Sequence, residues 1–113
     1  MHVSYLRIIV LELVAGDYQE MADRALGELA EKQLKSAPGF VSYSVGRDAD
    51  GNVVIISEWQ TAEQATTGAT TAAVWAGNAF GDQIRPIQSY LVEVTHVTAG
   101  VLGIWASARW PRG

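Results

Sequence analysis

The chemistry open to this chain rests on a few residues near the ends of apolar runs. Side chains alternate along an extended segment, so Trp59, Ser57 and Ile55 share one face, and Glu58 and Ile56 the other. Later in the chain Tyr90, Val92, Val94 and His96 share a face. His96 is the one histidine besides His2, and an imidazole titrates near neutrality, which makes it the best available general base. Arg85, just before Pro86, is placed to stabilise an anionic substrate. Trp59, His96 and Arg85 are therefore the candidate catalytic residues. Ser57, Tyr43, Trp75, Asn78 and Tyr90 are the candidate substrate contacts, supplying aromatic walls and hydrogen-bond donors. From the Phe40–Val45 run, either Ser42 and Ser44 or Tyr43 and Val45 point inward, and the sequence leaves both open. Each candidate has a structural alternative. Trp59 and Trp75 can be core residues, His96 a structural residue at a strand end, and Arg85 a solvated cation. Glu58 is expected to pair at a subunit face, and Asp48 and Asp50 to belong to a turn.

Several function classes are set aside. Two distant histidines and scattered acids do not make a metal site, and no Gly-rich phosphate loop or nucleotide fingerprint is present. The net charge is −4 and the eight basic residues are scattered, which argues against nucleic acid, because phosphate binding needs clustered Lys and Arg. The apolar run from Val3 to Val14 is interrupted by Arg7 and Glu12, so it reads neither as a signal peptide nor as a membrane span. The absence of cysteine fits a reducing cytoplasm, the expected location.

The elements that must position these residues centre on Pro38 to Trp59. Two β-rich runs, Phe40–Val45 and Val53–Ile56, flank a polar turn in which Asp50-Gly51 can supply a positive φ, the mark of a β-hairpin. Pro38-Gly39 stops the preceding helix. That helix opens at Asp17, with Glu20 three residues on in capping-box spacing, and buries Met21, Ala22, Ala25, Leu26, Leu29, Ala30 and Leu34 over about five turns. Tyr5–Val14 before it reads as a strand covered on both faces. Thr61 and Gln64 open a second helix rich in Thr, Gly and Ala, which is expected to be poorly held and to break near Gly77-Asn78. A short turn over Ala79–Ile84 follows. Pro86 then introduces a last strand, Gln88–Thr98.

The order strand, helix, strand, strand, helix, strand is the split βαβ arrangement of a ferredoxin-like α+β fold: an antiparallel sheet with both helices on one face. The strands are apolar on both faces, so the bare face needs a cover. A second copy related by a two-fold axis is the economical one. The high apolar content, 49 % with only 18 % charged, reads the same way. Residues 1–99 are expected to form this domain. Residues 100–113, which carry Val101, Leu102, Ile104, Trp105 and Trp110, are expected to form an arm packed on their own subunit or on the partner.

Ala37-Pro38-Gly39-Phe40, the hairpin ending in Glu58-Trp59, and Thr61-Ala62-Glu63-Gln64-Ala65 together resemble the antibiotic biosynthesis monooxygenase family, over roughly residues 3–98. The resemblance implies a dimeric α+β barrel with a pocket between sheet and helices. One branch consists of cofactor-free, quinone-forming monooxygenases of aromatic polyketide pathways. It resembles this chain in Asp50-Gly51 and in the tryptophan closing the third strand, Trp59, but uses an asparagine where this chain has Ile55. A second branch degrades haem. Its first-strand asparagine, helix tryptophan and axial histidine fall at Ile9, near Gly68 and near Asn78, so this chain lacks all three, and none of these residues can ligate iron. The resemblance thus implies a monooxygenase without metal or flavin, with molecular oxygen as co-substrate and a small aromatic phenol oxidised to a quinone. A non-catalytic dimeric binding protein and a related isomerase or cyclase are the alternatives.

Overall fold

The computed structural model describes residues 2–96. Strand β1 (His2–Leu13) is followed by helix α1 (Tyr18–Arg24), which runs on through Ala25–Leu34. Next come β2 (Phe40–Arg47), β3 (Val53–Trp59), α2 (Ala62–Phe80), a 3-10 turn (Gly81–Gln83) and β4 (Ile84–His96). The sheet has four antiparallel strands in the order β2-β3-β1-β4, the ferredoxin-like α+β arrangement expected from the sequence. The notion of an arm at 100–113 lies outside the described residues.

Local chemistry fixes the ends of the elements. Asp17 accepts a bond from the Glu20 amide, one half of the expected capping box. Thr61 and Gln64 make both halves of theirs. Past Arg24 the turns of α1 widen until amides bond five residues back, as Lys35 N–H does to the Ala30 carbonyl at 2.8 Å. In the hairpin turn the Asp48 carboxylate accepts from the Asp50 and Asn52 amides, both at 2.9 Å, and Gly51 takes φ 83°.

Two expectations at the end of α2 are corrected. The helix does not break at Gly77-Asn78 but continues to Phe80, and the Gly81 amide caps the Gly77 carbonyl. Phe80 anchors this end: it is buried, meets Trp75 edge-on at 5.3 Å, and lies under the Arg24 guanidinium at 5.0 Å. That packing offsets the roughly 1 kcal/mol a mid-helix glycine costs. The last strand also starts earlier, at Ile84, and contains Pro86. A proline fits there because β4 is an edge strand and its pairing with β1 shifts register between Val10 and Leu11.

Register assigns the faces. Tyr5, Arg7, Ile9 and Leu11 of β1 stand opposite Trp59, Ser57, Ile55 and Val53 of β3, and this face meets the helices. Tyr43 and Val45 of β2 share it, which resolves the alternative left open by the sequence. Two apolar clusters form beneath the helices. One is Leu11, Met21, Val53 and Phe80; the other is Leu29, Leu34, Trp59 and Ala65, and Trp75 packs against both. The opposite face carries Leu6, Ile8, Val10, Val54 and Ile56, and among the described residues no helix lies over it.

Candidate functional site

Between the two clusters the sheet and helices enclose a cavity of about 540 Å³, within the range of small-molecule sites. Its roof is the small-residue side of α2, with Ala69, Ala72, Ala73 and Ala76 toward the space. Only Ala65, Gly68 and Phe80 of that helix are buried, so its middle stands off the sheet and leaves volume below. The threonines that weaken α2 in isolation are accommodated. Thr66 and Thr70 donate back to the Ala62 and Thr66 carbonyls at 3.1 and 3.2 Å. Exposed wall residues, Gly77 and Pro86–Ser89, mark where the cavity opens between α2 and the β4 edge.

Away from the mouth, where Gln88 and Ser89 stand, the floor is apolar apart from two groups. Arg7 and Tyr43 both stand opposite Ser57, on either side of β3, and both line the cavity. Arg7 Nε and the Tyr43 hydroxyl are buried and have no hydrogen-bond partner among the described residues. Unpaired buried polar atoms cost about 1–3 kcal/mol each, so two in one pocket require an explanation.

Burial pushes the Tyr43 phenol up to about 12 from its ordinary 10.0, so it stays protonated at neutral pH. Its folded value is raised, so the associated stability is fully present below pH 10 and is lost as pH rises through 12. Titrating urea stability from pH 9 to 12 should show the native protein losing roughly 2 kcal/mol more than Tyr43→Phe. Parallel curves for the two proteins would mean that Tyr43 ionises freely.

The structure brings together few of the residues singled out from the sequence. Tyr43 and Trp75 line the cavity. Trp59 faces the helices but is sealed in the core at 1 % exposure, outside the lining, and its indole N–H donates to Ser57 Oγ at 2.9 Å. Ser57 is thereby engaged with the core. Asn78 is exposed on α2, away from the lining. Arg85 is exposed and paired with Glu12. Tyr90 and His96 lie on the opposite face of the sheet, because they share strand parity with Val92 and Val94 rather than with Ser89.

His96 sits in a cluster of its own on that face. Ser4 Oγ donates to Glu58 at 2.7 Å and lies 2.6 Å from His96 Nε2; Glu58 and His96 are 3.4 Å apart, and His2 stacks on His96 at 4.7 Å. These contacts make a polar clasp across β1, β3 and β4, and the sheet separates it from the cavity.

Arg7 is the residue that sequence reasoning missed. Its signal was present: a lone arginine in a strand apolar on both faces, at the parity of Ile9 and Leu11. Without the facing known, it read only as an interruption of an apolar run.

The class this geometry defines is a ferredoxin-like α+β protein with an apolar ligand cavity between sheet and helices. The sequence profile of the antibiotic biosynthesis monooxygenase family matches residues 4–74, and the chain belongs to that family. No curated protein sequence matches it significantly. Solved structures share the fold at low identity. MupZ from Pseudomonas fluorescens is 14 % identical with a TM-score of 0.61, over 78 % of this chain and 69 % of that one. The ActVA-Orf6 monooxygenase of Streptomyces coelicolor, in complex with nanaomycin D, is 24 % identical with a TM-score of 0.54, over 88 % and 92 %. The haem degrader MhuD from Mycobacterium tuberculosis, with two haems in its active site, is 19 % identical with a TM-score of 0.55, over 85 % and 98 %.

Proposed function

We propose that the protein is a homodimeric monooxygenase that oxidises a flat aromatic phenol of the polyketide type to a quinone, using molecular oxygen and no added cofactor. The observation that carries this reading is the apolar cavity under a helix of small residues, which has room for fused rings. A space filled by side chains would have favoured a non-catalytic protein. Proteins of this family are typically dimers, and the sheet face that no helix of the described residues covers, with Leu6, Ile8, Val10, Val54 and Ile56, is the surface a second copy would cover. The ActVA-Orf6 monooxygenase offers a precedent for a polycyclic ligand in this fold. The haem-degrader fold is a second precedent, but the described lining of this cavity contains no histidine.

The chemistry needs little from the protein. An anthrone-type substrate has an oxidisable CH2 group and carries its own electrons. Loss of a proton makes it an electron-rich phenolate or enolate that meets O2 at that carbon. One oxygen atom becomes the new carbonyl and the other leaves as water with the two hydrogens lost from carbon. The cavity excludes water, holds the rings and stabilises the oxyanion.

The test takes the fraction of purified protein that sediments at the mass of two chains and supplies anthrone in an oxygen electrode. One O2 should be consumed per anthraquinone, well above the uncatalysed rate, and label from 18O2 should appear in the new carbonyl. No acceleration over buffer would end this reading. Turnover that persists without oxygen would transfer the protein to the isomerase or cyclase class.

A further inference from the structure

We propose that Arg7 and Tyr43 form an anion-reading end of the cavity that takes up an aromatic ligand already ionised, as its phenolate. This deepens the reading given above and rests on it only for the identity of the cavity as a ligand site.

The argument begins with strand register. Ser57 stands between Arg7 and Tyr43, which places their backbones two strand spacings apart, roughly 10 Å. Both side chains project from the helix-facing side of the sheet and both line the one space. They flank Ser57, whose oxygen is already engaged with the Trp59 indole at 2.9 Å.

The charge balance is the second step. Among the described residues Arg7 forms no ion pair. Glu28 is paired with Arg24 at 3.0 and 3.2 Å, and Glu93, two residues along β4 from the partner of Arg7, accepts from the Tyr5 hydroxyl at 3.4 Å and is outside the cavity lining. Arg7 Nε and Tyr43 OH are the two buried side-chain polar atoms left without a partner among the described residues, and they are in the same pocket. A guanidinium is always charged and offers donors only. A phenol whose ionisation is suppressed by burial also acts as a donor here. Two unpaired buried donors, one of them a cation, select a ligand atom that is an acceptor and carries negative charge; the other polar lining residues, Gln88 and Ser89, are exposed at the mouth. The surrounding Ile9, Ile55, Leu29 and Trp75 require the rest of that ligand to be apolar. An aryl oxyanion meets both demands.

The proposal also removes a difficulty. The histidine that sequence reasoning offered as the base lies on the far side of the sheet. A ligand that binds as the phenolate gives its proton to water before or during entry, and no base is needed inside for that first proton. Arg7 supplies the driving force by favouring the ionised form, as a cation beside any acid does.

The probe is 1-naphthol, whose phenol and phenolate absorb differently, compared with its methyl ether, which cannot ionise. Binding to the full chain is measured without oxygen across pH 5 to 9. The phenol should bind at least tenfold more tightly than the ether, and its bound absorbance should be that of the phenolate at least one pH unit below the free probe. Arg7→Met should lose that preference and that shift while binding the ether as the native protein does, which also shows that it folds. Arg7→Lys should keep most of the shift, and Tyr43→Phe should weaken the phenol severalfold. Equal binding of phenol and ether, a bound probe that stays neutral, failure of both probes to bind, or an Arg7→Met protein with the native preference would each overturn the proposal. Phenolate binding without anthrone oxidation would sink the oxidase reading and leave the anion site standing. Anthrone oxidation untouched by Arg7→Met would do the reverse.

Discussion

Replacing Trp59 with alanine is expected to remove about 3–5 kcal/mol of folding stability, the range for truncating a buried large aromatic. Trp59 is the largest fully buried side chain among the described residues, at 1 % exposure. It fills the space between Leu29, Leu34 and Ala65, meets Phe40 edge-on at 5.5 Å, and gives its indole proton to Ser57. The substitution therefore opens a void and strips Ser57 of its partner. Domains of this size have about 5–15 kcal/mol in hand, so the variant should sit near the edge of folding, with its midpoint on the order of 15 °C lower. Trp59→Phe keeps most of the volume and loses the indole N–H, and should cost far less. Urea titrations of the three proteins decide the matter, and a Trp59→Ala midpoint equal to the native one would contradict the packing described. The same pair separates a core role from a catalytic one. Trp59 is outside the cavity lining, so Trp59→Phe should retain anthrone turnover within a fewfold of the native rate. A loss of turnover with unchanged stability would return Trp59 to the mechanism.

Trp59 shows what a single sequence can and cannot disclose. Its strand, its parity with Ser57 and Ile55, and the hairpin that carries it all follow from alternation and turn chemistry, which are local. Whether it faces a void or a packed neighbour depends on Gly68 and Leu29, which alternation does not reveal. The caps at Asp17 and Thr61 were legible for the same local reason. The end of α2 was not, because Phe80 is held by Trp75 and Arg24 across the fold, and tertiary packing overrode the weak propensity of Gly77. The site suffered most. His96 and Tyr90 were correctly grouped on one face, but the face was not fixed by β4 alone. It is set by the pairing of β4 with β1, where Val92 stands opposite Leu6 and Leu91 opposite Arg7. That one-residue parity carries the imidazole away from the cavity and leaves Arg7 in it.

Gly68→Ala is the second substitution with a large expected effect, and it tests the same contact from the helix side. A Cβ on Gly68 would lie 2.2 Å from Trp59 Cζ2 and 2.5 Å from Cη2, well inside any allowed contact. Alanine is the better helix former by about 1 kcal/mol, so an open site would make this change stabilising. Here the indole has no room to retreat, being fully buried against Leu34 and Ala65. Overpacking of this kind typically costs about 1–3 kcal/mol, and the net change should be destabilising. The sign is the test, because propensity and packing point in opposite directions. In the Trp59→Phe background the six-membered part of the indole is gone, and with it the atoms that clash. Gly68→Ala should then be neutral or stabilising, giving a coupling energy of at least about 1 kcal/mol between the two positions. Additive costs in a four-protein urea cycle would mean that α2 lies farther from the sheet than the structure places it. The roof of the cavity would then have to be redrawn, since the close approach at Gly68 is what sets the height at which Ala69, Ala72 and Ala76 pass over it.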